Sequence, residues 1–158
     1  MTWRPMTPAD LPAVSRIAVA VHPRHPEGDA VFAERLALWP RGCLVLGAGI
    51  RGYALSHPWG LHPPPLDTLL GALPARPEVY YIHDVALMPE ARGGGAGSAA
   101  VARLAAVADA MGLPLALVAV PGSAPFWARQ GFAITGPAGG SYGEGSVAMR
   151  RPASTRRE

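Results

Sequence analysis

The stretch that most limits what this chain can become is Met88-Pro89-Glu90-Ala91-Arg92-Gly93-Gly94-Gly95-Ala96-Gly97-Ser98. It joins the clearest strand signal, over 78–87, to the clearest amphipathic helix signal, over 97–111. Consecutive glycines strip away the side chains that keep a ligand from the backbone, and they admit left-handed φ values. At a helix start their N–H groups point outward, where the macrodipole favours negative charge. A strand, such a turn and a helix form a cradle for phosphate or diphosphate. The bland alternative, a flexible connector, is disfavoured by the regular elements on both sides.

Composition narrows the rest. With 158 residues, 49% of them apolar, 16% charged and a mean hydropathy of +0.17, one well-filled domain is expected. That domain is placed at 1–150, followed by a polar, Arg-rich tail over 151–158 that is expected to be disordered. Nineteen glycines and eighteen prolines predict many turns and one long loop. All fourteen basic residues are Arg, which excludes a Walker-type lysine and a Schiff-base lysine; Asn is absent as well. The formal charge of +3 sits at 150–158, since residues 1–149 hold ten Arg against ten acids. No basic stripe with aromatics runs through the body, so nucleic acid is not an expected partner. Cys43 is single and lies in an apolar run, which suits an inert buried thiol in a reducing compartment. No apolar leader opens the chain, and the longest apolar run, near 113–120, contains Pro114 and is far too short to span a membrane. A cytoplasmic protein without membrane partners is the expectation, and a homodimer is compatible with everything in the sequence.

Periodicity gives the order of elements. A short strand at 3–6 precedes a helix that Thr7-Pro8-Ala9-Asp10 caps and that runs to about Val21. His22-Pro23-Arg24-His25-Pro26-Glu27-Gly28-Asp29 breaks it, and a second helix ends at Pro40. Strands follow at 43–46 and 50–56, around Gly47-Ala48-Gly49. A Pro-rich connection then fills 57–77, with a short helical piece at 66–73. After the glycine turn and its helix come a strand at 115–120, a helix at 123–130 that Gly131 stops, and strands at 132–134 and 146–149.

Two ligand families suit the glycine turn. Gly95-x-Gly97-x-x-Ala100 is a degenerate dinucleotide fingerprint, but the strand that should supply a ribose-binding acid ends in Pro121-Gly122. The other frame is Arg92-x-x-Gly95-x-Gly97. It resembles the Arg/Gln-x-x-Gly-x-Gly/Ala signature with which the GNAT superfamily of N-acetyltransferases holds the diphosphate of acetyl-CoA. Upstream, Tyr80-Tyr81-Ile82-His83-Asp84-Val85-Ala86-Leu87 is similar to that family's fourth strand, whose splayed edge pairs with the pantetheine arm. Downstream, Ala124-Pro125-Phe126-Trp127-Ala128-Arg129-Gln130-Gly131-Phe132 is similar to its aromatic pair, short helix and Gly-Phe. The resemblance covers 79–132.

The resemblance implies an α/β (α+β) fold with a mixed, mostly antiparallel sheet of six to seven strands, flanked by about four helices. It implies acetyl-CoA as cosubstrate and direct attack of a primary amine on the thioester, with no metal and no covalent enzyme intermediate. Cofactor contacts would come from Val85, Ala86, Leu87, Arg92, Gly93, Gly94, Gly95, Ala96, Gly97, Ser98, Ser123, Phe126 and Trp127, with the oxyanion donor a backbone N–H near Ala86 or Leu87. His83 is the expected base, because an imidazole titrates near neutrality; packing beside the site is its structural alternative. Asp84 takes that role if its strand face is the substrate side. Strict alternation puts Tyr81, His83 and Val85 on one face and Tyr80, Ile82 and Asp84 on the other, unless a bulge intervenes.

Trp127 stands where many members place a Tyr that protonates the departing thiolate. An indole donates a hydrogen bond but is no proton source. A thiolate can leave unassisted, or Tyr142 or water can serve. For the acceptor, Glu27, His57 and Tyr81 are the leading candidates, with Asp29, Trp59 and His62 in the same loops. His22-x-x-His25 lacks a third ligand and carries no metal expectation. A non-catalytic acyl-CoA-binding sensor is the alternative to an enzyme.

Overall fold

Thr7, Asp10 and Arg4 fix how the chain enters its first helix. Asp10 accepts hydrogen bonds from Thr7 N and Oγ1 at 2.8 and 3.1 Å, and both terminal nitrogens of Arg4 donate to it at 2.8 and 2.9 Å. The Arg4 bonds, against the opposing effect of burial, hold the Asp10 carboxyl down at about 2. The computed structural model describes residues 1–154. In chain order the elements are β1 (Trp3–Pro5), α1 (Leu11–Val21), α2 (Asp29–Leu38), β2 (Cys43–Leu46), β3 (Gly52–Trp59) and β4 (Val79–Leu87). Then come α3 (Ala96–Ala110), β5 (Leu115–Ala119), α4 (Ala124–Arg129), β6 (Ala133–Pro137) and β7 (Val147–Arg151).

One seven-stranded sheet runs in the order β1-β2-β3-β4-β5-β7-β6. Every pairing is antiparallel except β4 with β5, which the α3 crossover makes parallel. Helices α3 and α4 bury Val101, Leu104 and Trp127 against Tyr80, Ile82 and Leu117 on one face. Helices α1 and α2 bury Val14, Ile17 and Phe32 against Val45, Tyr53 and Leu55 on the other. The expected architecture, a mixed and mostly antiparallel sheet flanked by four helices, is the one observed.

The sheet carries one irregularity that shapes the site. Strand β4 pairs with β3 from Gly52↔Leu87 to Leu55↔Asp84, then resumes at Ser56↔Ile82. His83 is therefore an inserted residue, a β-bulge. Beyond it the facing pattern changes: Tyr80, Ile82, Val85 and Leu87 pack toward α3, whereas Ala86 packs toward α1 and α2. Asp84 joins Ala86 on the α1–α2 side, where it meets Tyr53 and His22. His83 and Asp84 thus share a face, which corrects the strict alternation expected from the sequence. Strand β5 pairs with β4 only over Tyr80–Ile82. Past Ile82 the two strands part.

Three other expectations need correction. Strand β3 runs through His57, Pro58 and Trp59, which were assigned to the loop. Pro58 fits because it faces Tyr80, whose N–H is given to Pro114 O on the opposite side, so no ladder bond is lost. The helical piece at 66–73 does not form: Asp67 takes a left-handed φ of 54°, and the segment's backbone donors go to side chains instead. At the other end, Arg151 pairs with Leu115 inside β7, one residue past the expected domain end, and Ser154 N donates to Asp109. The remainder of the expected tail, 155–158, lies outside the described residues. Among the described residues no helix is long and apolar enough to cross a membrane.

Candidate active site

The glycine turn builds one wall of a groove. Gly93 and Gly95 take φ of +84° and +83°, and a Cβ on Gly93, Gly94 or Gly95 would meet only open space. The first intrahelical bond of α3 here is Ala99 N to Gly95 O, so the N–H groups of Ala96, Gly97 and Ser98 have no carbonyl one turn back. Gly97 serves packing instead: a Cβ there would come within 3.1 Å of the Phe126 ring. Arg92 Nε donates to Leu87 O at 3.1 Å and ties the turn to the end of β4.

The groove encloses about 1,110 Å³, its open mouth included, and is lined by Val85, Leu87, Arg92, Gly93, Ala96, Ser98, Ser123, Phe126 and Trp127. Arg129 and Gln130 also line it, and Gln130 Nε2 donates to Ser98 Oγ at 2.9 Å. Neither is among the expected cofactor contacts, since no local motif singles them out. Such open, anion-ready backbone beside an apolar channel fits the diphosphate and arm of a coenzyme A thioester.

The end of β4 leaves main-chain amides facing this groove. Tyr80 N–H points to Pro114 O and Met88 N–H to Arg51 O. Alternation from these two ends, broken at His83, turns the N–H groups of Val85 and Leu87 into the gap beside β5. Those of Asp84 and Ala86 face β3. Ala86 is 1% exposed and packs on the α1–α2 side, so of the expected strand contacts Val85 and Leu87 face the groove and Ala86 does not.

A second cavity of about 670 Å³, mouth included, lies where β4 and β5 separate. It is lined by His22, His25, Glu27, Tyr53, His83, Asp84 and Tyr142, and it shares Val85, Ser123 and Trp127 with the groove. Two acid–imidazole pairs stand in it. His22 Nε2 lies 2.8 Å from Asp84 Oδ1, and Tyr53 O–H donates to Asp84 Oδ2 at 2.5 Å. His83 Nε2 lies 2.6 Å from Glu27 Oε1.

Burial opposes charge on Asp84, but the bonds from His22 and Tyr53 outweigh it and hold the carboxyl below its ordinary value. Burial pulls the His22 imidazole down, while the bond and charge of Asp84 pull it up and win. Glu27 is likewise held low against burial by the bond from His83. Tyr53, buried beside the Asp84 anion, is pushed well above the usual phenol range.

The pairs differ in access. His22 and Asp84 side chains are 23% and 16% exposed, against 1% and 6% for His83 and Glu27. Asp84 also adjoins Val85 at the junction with the groove. His22 was missed as a site residue, since nothing local in the sequence ties the end of α1 to β4.

The other expected residues are engaged in bonds or packing of their own. Tyr142 O–H donates to Pro64 O at 2.7 Å and receives the Tyr81 hydroxyl at 2.9 Å, so its proton is engaged by a carbonyl. Burial raises the pKa of both phenols. His57 is buried and pairs its Nδ1 with Pro58 O, and burial drives it down to about 3. Neither His57 nor Tyr81 lines the cavity, whereas Glu27 does. Asp29 is exposed and takes the Ser15 hydroxyl, and Trp59 Nε1 donates to His62 O. Ser123 Oγ donates to Val120 O, and Trp127 stands edge-on to Phe126 and Phe132 at 5.0 and 5.5 Å between ring centres.

This geometry has known counterparts. The sequence profile described as "Acetyltransferase (GNAT) family" matches residues 11–132. The chain belongs to the acetyltransferase (GNAT) family. Its activity is that of the family, acetyl-CoA-dependent N-acetyl transfer.

Solved structures agree on the fold of this acetyltransferase. Ard1 from Thermoplasma volcanium superimposes with a TM-score of 0.76 at 20% identity, covering 98% of each chain. Naa20 from Chaetomium thermophilum, in complex with a bisubstrate analogue, gives 0.75 at 21% identity over 97% of this chain and 87% of that one. The GNAT-like decarboxylase GphF, in complex with isobutyryl-CoA, gives 0.77 at 18% identity over 96% and 99%. No curated protein matches the sequence. Because an acetyltransferase and a decarboxylase share this backbone, the acceptor and the residue roles must be argued from the site.

Proposed function

We propose that the acetyltransferase moves the acetyl group of acetyl-CoA to a primary amine held in the cavity beside Asp84, with His22 as proton acceptor. One observation carries the reading: the cavity with its two carboxylates and its imidazoles adjoins the groove, the two sharing Val85, Ser123 and Trp127 as walls. An ammonium drawn in by Glu27 and Asp84 would lie next to the free edge of β4.

With Nε2–H donated to Asp84, neutral His22 keeps a lone pair on Nδ1. That nitrogen takes the proton from the ammonium, and Asp84 stabilises the resulting imidazolium. The amine then attacks the thioester carbonyl. A C–N bond forms, the C–S bond breaks, and the amine's second proton and the thiolate leave as the free thiol of coenzyme A. The Val85 and Leu87 amides are placed to steady the carbonyl oxygen as it gains charge. A thiolate needs little help to depart, since a free thiol titrates at about 8.5.

His83, expected from the sequence as the base, fits better as the partner that fixes Glu27. Trp127 fits as packing around the acyl end. Cys43, pushed by burial up to about 12, suits a reducing compartment, and we read the enzyme as cytoplasmic. The test is CoA release from acetyl-CoA across an amine panel, with calorimetry of acetyl-CoA binding in parallel. Binding with no release for any amine would turn the reading to a sensor; no binding would end it.

A further inference from the structure

We propose that the acceptor is a small, diffusible cationic amine and not the end or side chain of a polypeptide, because a hydrogen-bonded strap closes the far side of the acceptor cavity. The inference rests on the amine-transfer reading of that cavity and names its substrate class.

The strap is the Pro-rich segment between β3 and β4, and its backbone is tied on both sides. Toward the helices, Asp67 N donates to Glu27 Oε2 at 3.0 Å, while Gly28 N donates to Asp67 Oδ1 at 2.7 Å, a reciprocal clamp. Leu70 N and Gly71 N both donate to the Glu34 carboxylate, at 2.6 and 3.0 Å, and Arg35 Nη2 donates to Thr68 O at 3.2 Å. Toward the β6–β7 connection, Leu66 N donates to Ser141 Oγ at 2.8 Å, and Pro64 O accepts the Tyr142 hydroxyl.

The ring closes on the third side, where His25 Nε2 meets Tyr142 O at 3.2 Å. Three segments that rim the cavity are thus linked pairwise: the α1–α2 turn, the strap and the β6–β7 turn. Asp67, at the clamp, is the one non-glycine residue with positive φ among the described residues. Strain of that kind persists where the surroundings over-determine it.

This ring discriminates by class. A polypeptide would have to pass between two of the segments and break at least one link of the ring. It would also bring its own amides and carbonyls to a strap whose Leu66, Asp67, Leu70 and Gly71 N–H groups are already given to side chains, so those donors offer it no strand-like docking. A small amine faces neither penalty. Glu27 and Asp84 provide anions for an ammonium, while Leu66, Ile82 and Val118 provide apolar walls for a short carbon frame.

The experiment compares kcat/KM on the full chain for two sets of acceptors. One set holds small primary amines of up to about ten heavy atoms; the other holds tetrapeptides with a free N-terminus or an internal lysine. At least one small amine is expected to exceed every tetrapeptide by a hundredfold. Glu34→Gln combined with Ser141→Ala, which loosens both anchors of the strap, is expected to narrow that ratio by at least fivefold, with folding checked by Tm. Any tetrapeptide within a hundredfold of the best small amine, or a ratio that survives in the folded double variant, overturns the proposal and leaves amine transfer standing. Release with neither set, while acetyl-CoA still binds, overturns the amine-transfer reading and this proposal with it. If the double variant does not fold, the wild-type ratio decides alone.

Discussion

His22 Nε2 and Asp84 Oδ1 lie 2.8 Å apart, which binds the last turn of α1 to the bulged segment of β4 across 62 positions of sequence. That contact sets both the charge state and the pH response of the cavity.

For catalysis, His22 must be neutral, and Asp84 raises its affinity for the proton. Activity should rise with pH along a limb centred above the ordinary histidine value of about 6.5. Asp84→Asn should move that limb to lower pH, because the anion that favours imidazolium is gone. His22→Gln should lower kcat about a hundredfold or more with a smaller change in acetyl-CoA affinity. The pH–rate profile of each variant checks the assignment; a limb that stays put in Asp84→Asn would remove His22 from its role.

Stability should report the same pair with opposite slopes. Asp84 is depressed in the folded protein, so its contribution is present above about 4 and is lost as pH falls through the folded value. His22 is raised, so its contribution is complete below about 6.5 and fades as pH rises through the folded value. The destabilisation caused by Asp84→Asn, measured by denaturant unfolding, should therefore be greatest between about pH 4 and 6.5.

Two glycines of the turn should fail in different ways. Gly95→Ala introduces no clash but forces a left-handed φ on a residue with a side chain, at about 1 kcal/mol. Acetyl-CoA affinity should drop with little loss of Tm beyond that cost. Gly97→Ala should displace the Phe126 ring, lowering Tm and narrowing the groove together. In the wild type acetyl-CoA should raise Tm and NAD should not; calorimetry and thermal scans separate these outcomes.

Tyr142 gives a control on the leaving group. Tyr142→Phe removes the bond to Pro64 O and the acceptor of the Tyr81 hydroxyl, a loss of about 1–2 kcal/mol. If the phenol is an anchor and no proton source, the alkaline side of the pH–rate profile should be unchanged. A shift there would restore the acid role that the sequence suggested.

Asp10→Asn should destabilise the entry to α1 by about 1 kcal/mol near neutral pH. Asp10 is depressed to about 2, so the deficit should shrink as pH falls from about 4 through that value. Acid unfolding curves of the two proteins should converge at the low end.

Much of this was legible in the residues. Strand β2 falls at the expected positions 43–46, α1 ends at the expected Val21, and the glycine turn sits at the expected strand–helix junction. These elements are specified locally, by period, caps and breakers. What escaped was set by distant partners. An inserted residue at His83 leaves no mark in an alternating pattern, so the facing of Asp84 could not be read. Pro58 looks like a breaker until the strand opposite is seen to send its N–H the other way. The strap at 64–71 has no periodicity because side chains from α2 and the β6–β7 turn satisfy its backbone.

The parting of β4 from β5 after three paired residues has an evolutionary side. Hooks made of main-chain N–H survive almost any exchange of the residues that bear them, proline excepted. Drift at Val85 or Leu87 can therefore reshape the walls of the groove without removing the donors that face it. Chains that share only a fifth of their residues with this one keep the same frame.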